Sequence, residues 1–227
     1  SMRIHEMFSI KSYHCANCVI GCGREVNFKG QKVDGPEYET VAAFGPLLGN
    51  EDPEKIIQWN HLANSLGMDT ISLGVLLSGI KFFMENGMVE NKELESYFSN
   101  NFSGISSLIE KIAYRNGIGE DLSLGLERFS SKYGIQRDYV ATVKGMEIPM
   151  HDPRAFKLQG LGYATSSRGA DHLQAQMYSV DMGSVQEDIG ITMGDRWNVN
   201  SDERVLSLIR TQDYAQIQNS AIICVYA

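Results

Sequence analysis

Hydrophobic residues recur at helical spacing along much of this chain. Between Pro53 and Gly67 the hydrophobic residues are Ile56, Ile57, Trp59, Leu62, Ala63 and Leu66, and all but Ile57 have another of them three or four positions away. That period lines one face of an α-helix. Aspartate before proline, as at Asp52, is a typical helix start, and glycine is a typical end. The pattern therefore predicts a helix from Pro53 that stops at Gly67.

A second helix is predicted directly afterwards, with Asp69 as its N-cap and Asn86-Gly87 as its end. Apolar residues nearly encircle it, which is typical of a helix buried in the core. Asp69 and Ser72 at its start can simply cap it. A helix N-terminus also suits a phosphate or a polar heterocycle, so both interpretations stay open from the pattern alone.

Further amphipathic segments are predicted at residues 91–99, 103–116 and 120–133, and a last helix from about Asp202 towards Asn219. Strand-like alternation is rare and limited to short extended pieces around Gly30. The predicted fold class is therefore mainly α and multihelical, with few short strands.

A connector at residues 134–145 separates two groups of helices, and residues 174–199 have the Gly, Asp and Ser punctuation of a loop with short helical pieces. We expect two helical lobes, at residues 1–140 and 141–227. The first carries three of the four cysteines, and the second carries Cys224.

The charge balance limits the classes of partner that we expect this chain to bind. There are 28 acidic against 20 basic residues, a formal net charge of −8, and no basic run, which argues against a nucleic-acid or anionic-membrane surface. No apolar stretch approaches the roughly 20 residues that span a bilayer, and the first residues lack a signal-peptide pattern. The sequence predicts a cytoplasmic protein whose partners are small molecules or other proteins.

Three cysteines lie within eight residues, at Cys15, Cys18 and Cys22, and the fourth is Cys224. The spacing Cys-x2-Cys-x3-Cys with a remote fourth thiolate suits a [4Fe-4S] cluster. Structural zinc is the main alternative, although it usually shows two separated pairs. Disulfides or inert buried thiols are the remaining interpretations. Gly21 and Gly23 allow the backbone to curl around the third thiol.

Two other candidates have a plain structural interpretation. Glu37 and Glu39 share a face if the segment is extended and diverge by about 200° if it is helical. From the residues alone, a solvated acidic loop is the favoured interpretation of this pair. His61 lies on a predicted helix among polar neighbours, and a surface histidine is favoured over a metal ligand.

Five ordered motifs extend the evidence beyond the cysteines. They are Cys15-x2-Cys18-x3-Cys22, Gly35-Pro36-Glu37-Tyr38-Glu39-Thr40, Leu66-Gly67-Met68-Asp69-Thr70-Ile71-Ser72, Lys144-Gly145-Met146-Glu147 with His151-Asp152-Pro153-Arg154, and Leu161-Gly162-Tyr163-Ala164-Thr165 through Arg168-Gly169-Ala170-x-His172. Together they resemble the aldehyde ferredoxin oxidoreductase family of tungsten enzymes. The resemblance covers domains 2 and 3 of that architecture, the helical part that follows a β-rich first domain.

The resemblance implies a set of metal and cofactor ligands. Cys15, Cys18, Cys22 and Cys224 would hold a [4Fe-4S] cluster next to a tungsten or molybdenum bis-pterin cofactor. Asp69 would help to bind one pterin, and Asn219 stands where the second pterin contact is expected. The family commonly has aspartate and glycine before its fourth cysteine, whereas this chain has Asn219 and Ile222. That departure weakens the expectation of a second pterin contact.

The resemblance also implies an activity. It is the oxidation of a small aldehyde to a carboxylic acid, with electrons passed through the cluster to ferredoxin. Tyr38 and Glu39 would face the substrate, with Glu39 as a candidate general base. His172 would do so from the second lobe, and His151 is the alternative for that role.

The remaining expectations concern what the chain lacks. The N-terminal cofactor-binding domain of the family has no counterpart here, and the chain ends three residues after Cys224, so we expect an incomplete enzyme that is inactive alone. That domain and a second copy of the chain complete the expected partners. A non-catalytic iron–sulfur electron-transfer or scaffold module that has lost the pterin is the alternative function. A zinc-stapled helical protein is a third.

Overall fold

The computed structural model describes residues 7–198 and 200–226. It divides into two compact units, Ser1–Ala141 and Thr142–Ala227. Helices dominate both units, so the mainly α, multihelical fold predicted from the sequence is confirmed. Within the described ranges, each helix is either too short or too polar to cross a bilayer.

The first unit opens with an antiparallel sheet of three strands in the order β1 (Ser9–Tyr13), β2 (Gly23–Phe28) and β3 (Gln31–Asp34). Tyr13 pairs with Gly23, so the cysteine loop is the connection between β1 and β2. The extended pieces predicted on both sides of Gly30 are confirmed as β2 and β3. Strand β1 was not predicted.

Helices make up the rest of the first unit: α1 (Tyr38–Ala42), α2 (Pro53–Ser65), α3 (Thr70–Glu85), α4 (Lys92–Phe102), α5 (Ile105–Ala113), α6 (Ile118–Leu122) and α7 (Leu126–Lys132). A π-helical turn, Ala43–Leu47, continues α1. The core of the first unit packs around the buried ring of Trp59, which meets Phe44 and Phe102 edge-on at centroid distances of 5.9 and 6.4 Å.

The two strongest helix predictions are confirmed. Asp52 caps α2 by accepting the Glu54 N–H at 3.0 Å. Helix α3 begins after Asp69, ends before Asn86 and buries residues on most of its circumference. The single amphipathic segment expected at 120–133 is corrected, because it splits into α6 and α7. Gly125 lies between them with φ of 83°, a left-handed angle that no α-helix contains.

The second unit begins with a two-stranded hairpin, β4 (Thr142–Val143) and β5 (Met146–Glu147), and continues with helices α8 (Lys157–Thr165), α9 (Met177–Asp181) and α10 (Asp202–Ala221). The loop with short helical pieces at 174–199 and the last helix are confirmed. Residues 153–155 form a turn, and α8 begins at Lys157.

A buried ion pair ties the second unit together. Arg204 on α10 and Asp181 on α9 are both almost fully buried, and their side chains meet at 2.6 Å. Arg204 also donates to the Met193 carbonyl at 2.6 Å. Nearby apolar residues form the core of this unit, namely Leu158, Ala175, Met177, Val180, Ile191 and Leu208. The pair fixes α9 and the following loop against α10.

Candidate metal and redox site

The cysteine loop has a defined turn at its start. The Cys18 N–H donates to the Cys15 carbonyl at 3.0 Å, and Asn17 has a φ of 61°. The His14 ring lies 3.0 Å from the Cys18 carbonyl through Nδ1. These contacts close the Cys-x2-Cys segment into a turn that presents two thiols from one short stretch.

Two glycines allow the end of the loop to pack closely. A Cβ on Gly21, whose φ is 63°, would lie 2.4 Å from the His14 ring. A Cβ on Gly23 would lie 2.5 Å from the Tyr13 ring. Both distances are well below contact, so a side chain at either position would displace a ring, and the left-handed φ of Gly21 adds a second reason for glycine there. The backbone around Cys22 is therefore shaped by its neighbours and is not an open loop.

The thiols of this loop are accessible and polarised. Cys15 and Cys22 are exposed and Cys18 is half-buried. Hydrogen bonds from the backbone N–H groups of Gly21 and Ile20 lower the pKa of the Cys18 thiol, and the Ile20 nitrogen lies 3.4 Å from its sulfur. Hydrogen bonds of this kind favour the thiolate, which is the form that binds metals. The second unit repeats the contact at Cys224, whose sulfur accepts the Tyr226 N–H at 3.4 Å.

These features fit an iron–sulfur cluster. Thiolates are the usual ligands of such clusters, and hydrogen bonds to sulfur tune their potentials. The three thiols of the loop belong to the first unit and Cys224 belongs to the second.

The predicted carboxylate site is formed by helix α1 and the start of α3. Glu39 is buried, with 7% of its surface exposed, whereas Glu37 is exposed. The interpretation of the pair as a solvated acidic loop is therefore wrong for Glu39. Helix α1 turns Glu39 away from Glu37 and into the first unit.

A hydrogen bond links the two elements that carry Glu39 and Asp69. The hydroxyls of Thr40 and Thr70 lie 2.7 Å apart, and these threonines directly follow Glu39 and Asp69. Asp69 caps α3 by accepting the N–H groups of Ile71 and Ser72 at 3.0 and 3.4 Å. The carboxylate has four lone-pair positions, so the cap leaves acceptor capacity on Asp69.

Two further residues of the first unit lie at its surface. Tyr38, the residue before Glu39, is 56% exposed. His61 is exposed on α2, in agreement with the surface interpretation of that histidine. Neither position adds a buried polar group to the carboxylate site.

In the second unit, the two histidines that were considered as alternatives lie side by side. The rings of His151 and His172 are nearly parallel, at 18°, with centroids 5.0 Å apart. A ring nitrogen of each lies within 4.8 Å of one of the other. Both side chains are half-buried. The structure thus presents a pair of imidazoles where the sequence suggested a choice of one.

Backbone and side-chain contacts hold this pair. The ring of Tyr178 lies against His151 with a centroid distance of 3.7 Å, and the buried Tyr163 hydroxyl donates to the His151 carbonyl at 3.0 Å. Asp171, the neighbour of His172, is buried, pairs with Arg168 and accepts the Leu173 N–H at 2.9 Å. Each histidine therefore extends from an anchored segment.

Tyr178 was missed by the sequence reasoning. It lies in the stretch expected to be loop, where no motif marks it. Arg24, which contacts the backbone around Cys22, was missed as well, although a cation two residues after the third cysteine was a readable signal.

Asn219 is exposed on the last turn of α10. The helix ends at Ile222, whose φ of 57° is left-handed, and the Ile223 N–H returns to the Gln218 carbonyl at 2.9 Å. A residue other than glycine thus occupies a position at which glycine is favoured. The turn therefore differs from the expected one in two ways: Asn219 lacks the negative charge of aspartate, and Ile222 has a backbone conformation that is more strained than it would be for glycine.

Comparisons with known proteins agree on one family. A family model described as "Aldehyde ferredoxin oxidoreductase, domains 2 & 3" matches residues 1–227. A tungsten-containing aldehyde ferredoxin oxidoreductase of Thermococcus kodakarensis is 35% identical over 223 residues, which are 96% of this chain and 36% of the relative. An aliphatic sulfonate oxidoreductase, WOR-like subunit, of Pyrococcus furiosus is 31% identical over 172 residues, covering 70% of this chain and 27% of that protein.

A solved structure gives the same picture of the fold. A chain in the active site complex BamBC of benzoyl coenzyme A reductase, with 1,5-dienoyl-CoA, superposes with a TM-score of 0.61 at 19% identity. The match covers 74% of this chain and 26% of that one. The chain spans about a third of the length of the curated relatives it matches.

Proposed function

The chain belongs to the aldehyde ferredoxin oxidoreductase family, as its domains 2 and 3, and on that premise we propose that it is part of a pterin-dependent tungsten or molybdenum oxidoreductase. The proposed reaction converts an aldehyde and water to a carboxylic acid, two protons and two electrons. Electrons leave through a [4Fe-4S] cluster to ferredoxin. Cys15, Cys18, Cys22 and Cys224 are the proposed ligands of that cluster.

The observation that carries the proposal is the buried carboxyl of Glu39. Only 7% of the surface of Glu39 is exposed, and taking a carboxylate out of water costs free energy that its surroundings must compensate. Its helix is bonded to the first residue of α3 through Thr40 and Thr70. A carboxylate in such surroundings is suited to take a proton from substrate or water.

Other residues of this chain bind and orient. When bound, the pterin-held metal supplies the two-electron chemistry, and the protein supplies position and polarity. His172 is proposed to donate a hydrogen bond to the aldehyde carbonyl oxygen, with His151 packed beside it. Tyr38 is proposed to contact the substrate. Asp69, which keeps acceptor capacity after capping α3, and Asn219 are proposed to accept or donate hydrogen bonds to the pterins.

A second candidate function is a non-catalytic iron–sulfur module that transfers electrons without a pterin. The observation that favours it is the end of α10, where an amide replaces the expected carboxylate and Ile222 adopts a left-handed angle. Metal content separates the two functions, because the oxidoreductase contains iron with tungsten or molybdenum, whereas the module contains iron only.

A chimaera tests the proposed activity. This chain would replace the 223 matched residues of the Thermococcus kodakarensis enzyme, and aldehyde oxidation would be followed with a dye acceptor under anaerobic conditions. We expect turnover that falls by about two orders of magnitude or more in Glu39→Gln, the range typical of a lost general base. The exposed neighbour gives the control, since Glu37→Gln should behave like the parent.

The controls decide what a negative result means. Iron and tungsten would be measured in every variant. Loss of turnover in Glu39→Gln with unchanged metal content supports the role of Glu39 in the reaction. Equal turnover in parent and Glu39→Gln removes Glu39 from the mechanism, and a chimaera that binds iron without tungsten or molybdenum favours the electron-transfer module.

A further inference from the structure

The guanidinium of Arg24 lies against the backbone on both sides of Cys22. Its Nη1 atom is 2.9 Å from the carbonyl oxygens of Gly21, Cys22 and Gly23. One nitrogen carries two protons, so the three acceptors share them. Three carbonyl oxygens converging on one point repel each other unless a positive charge lies between them. The guanidinium keeps its charge at every accessible pH, so the contact is permanent.

Arg24 is itself firmly placed. It lies on the central strand β2, where it pairs with Ser12 of β1. Its carbonyl accepts the Gly35 N–H at 2.7 Å, and a Cβ on Gly35 would lie 3.1 Å from the Cβ of Arg24. The side chain is half-buried. The backbone of Arg24 is therefore held by its pairing with β1 and by the hydrogen bond from Gly35, and from this fixed position its guanidinium contacts the cysteine loop.

We propose that Arg24 is the positioning residue of the cysteine loop and that its charge raises the reduction potential of the cluster bound there. The inference rests on the proposed function, because the cluster is part of it. Reduction adds one negative charge to a cluster, and a nearby positive charge stabilises the reduced form more than the oxidised one. Arg24 neither ligates the metal nor exchanges protons.

The other cations of this sheet do not have this arrangement. Lys11 and Lys32 lie 3.3 and 4.0 Å from the same carboxylate oxygen of Glu25. Both ammonium groups therefore face that one carboxylate. Lys32→Gln therefore removes one positive charge from the neighbouring strand without touching the loop, which makes it the matched control.

The test compares Arg24→Gln, Arg24→Lys and Lys32→Gln with the parent chain. In the metal-free chain, hydrogen exchange would be measured by mass spectrometry over residues 14–28. We expect exchange about tenfold faster in Arg24→Gln, the factor expected for the loss of roughly one hydrogen bond to a charged group. Arg24→Lys should recover most of the protection, since the contact uses a single nitrogen and an ammonium group offers three donors.

The second measurement is made after anaerobic reconstitution with iron and sulfide. Iron content and the midpoint potential from a reductive titration would be compared. We expect Arg24→Gln to hold less iron and to have a more negative potential. Arg24→Lys should remain close to the parent, and Lys32→Gln should match it.

The two measurements distinguish a failure of the proposed role of Arg24 from a failure of the proposed cluster. A parent chain that takes up no iron would overturn the cluster and with it the effect of Arg24 on the potential. Hydrogen exchange would then still decide the positioning role. Equal exchange and equal potential in Arg24→Gln and the parent would overturn the inference while leaving the cluster in place, and so would an equal shift in Lys32→Gln.

Discussion

Ile222 stands where the family resemblance led us to expect glycine, and its backbone conformation has a physical cost. Its φ of 57° lies in the left-handed region, which disfavours a β-branched side chain, and that side chain is 93% exposed. Little burial therefore compensates for the strain. The same reasoning explains the glycine that the family resemblance led us to expect at this turn.

Ile222→Gly is expected to stabilise the second unit by about 1 kcal/mol. Relief of the left-handed strain, roughly 1–2 kcal/mol, exceeds the extra chain entropy that glycine loses on folding. Urea unfolding would measure the change. As the control, Ala221→Gly introduces the same residue at the last position of helix α10, and should lower stability by up to about 1 kcal/mol. A loss of stability in Ile222→Gly would show that the strain argument is wrong.

Tyr178 is a single residue whose ring holds the histidine pair in place. Its ring lies against His151, which in turn lies beside His172. We expect Tyr178→Leu to change the NMR shifts of the His151 ring protons, because the ring current of the phenol is lost, and to broaden the His172 signals. Tyr178→Phe keeps the ring and should leave both sets close to those of the parent.

The result that would contradict this role is also spectroscopic. Identical histidine shifts in Tyr178→Leu and in the parent would mean that the tyrosine does not pack on His151 in solution. Unfolding curves of both variants would be recorded alongside, since a general loss of structure would move the signals of every residue.

At the scale of the element, helices with strong end signals were predictable and short ones were not. Asp52 and Asp69 marked α2 and α3 because a cap is a local interaction that the sequence shows directly. Helix α1 is only five residues long and is joined to α3 by the hydrogen bond between Thr40 and Thr70, which are thirty positions apart. The burial of Glu39 depends on how α1 packs in the folded unit and could not be read from spacing alone.

The candidate site residues divide in the same way, into those that a local pattern predicts and those that only the fold brings together. The cysteine spacing predicted that three thiols lie together, and they share the loop between β1 and β2. The neighbourhood of His151 and His172 could not be derived, because twenty-one positions separate them and Tyr178 carries no motif. The break at Gly125 was readable in principle, yet amphipathic periodicity on both sides concealed it.

Asp69→Ala is expected to lower the stability of the first unit by about 1 kcal/mol, because two N–H groups at the start of α3 lose their acceptor. Asp69→Ser keeps a good N-cap without the charge and should stay within a few tenths of a kcal/mol of the parent. Chemical denaturation of the metal-free chain would measure both. Equal stability of Asp69→Ala and the parent would show that the cap contributes nothing.

At the scale of the whole molecule, each unit has its own core and its own part of the proposed chemistry. The first provides three thiols, Glu39 and Asp69, and the second provides two histidines and Cys224. The chain spans about a third of the length of the curated relatives it matches. The four proposed ligands of the cluster are all cysteines of this chain.

The most direct test of this account is the electron paramagnetic resonance spectrum of the chemically reduced chain, reconstituted anaerobically with iron and sulfide. We expect the spectrum of a reduced [4Fe-4S] cluster with about four irons per chain. In Cys224→Ser that spectrum should be lost or altered, because the fourth thiolate is gone. A chain that binds zinc in place of iron, or a spectrum identical with and without Cys224, would contradict the account.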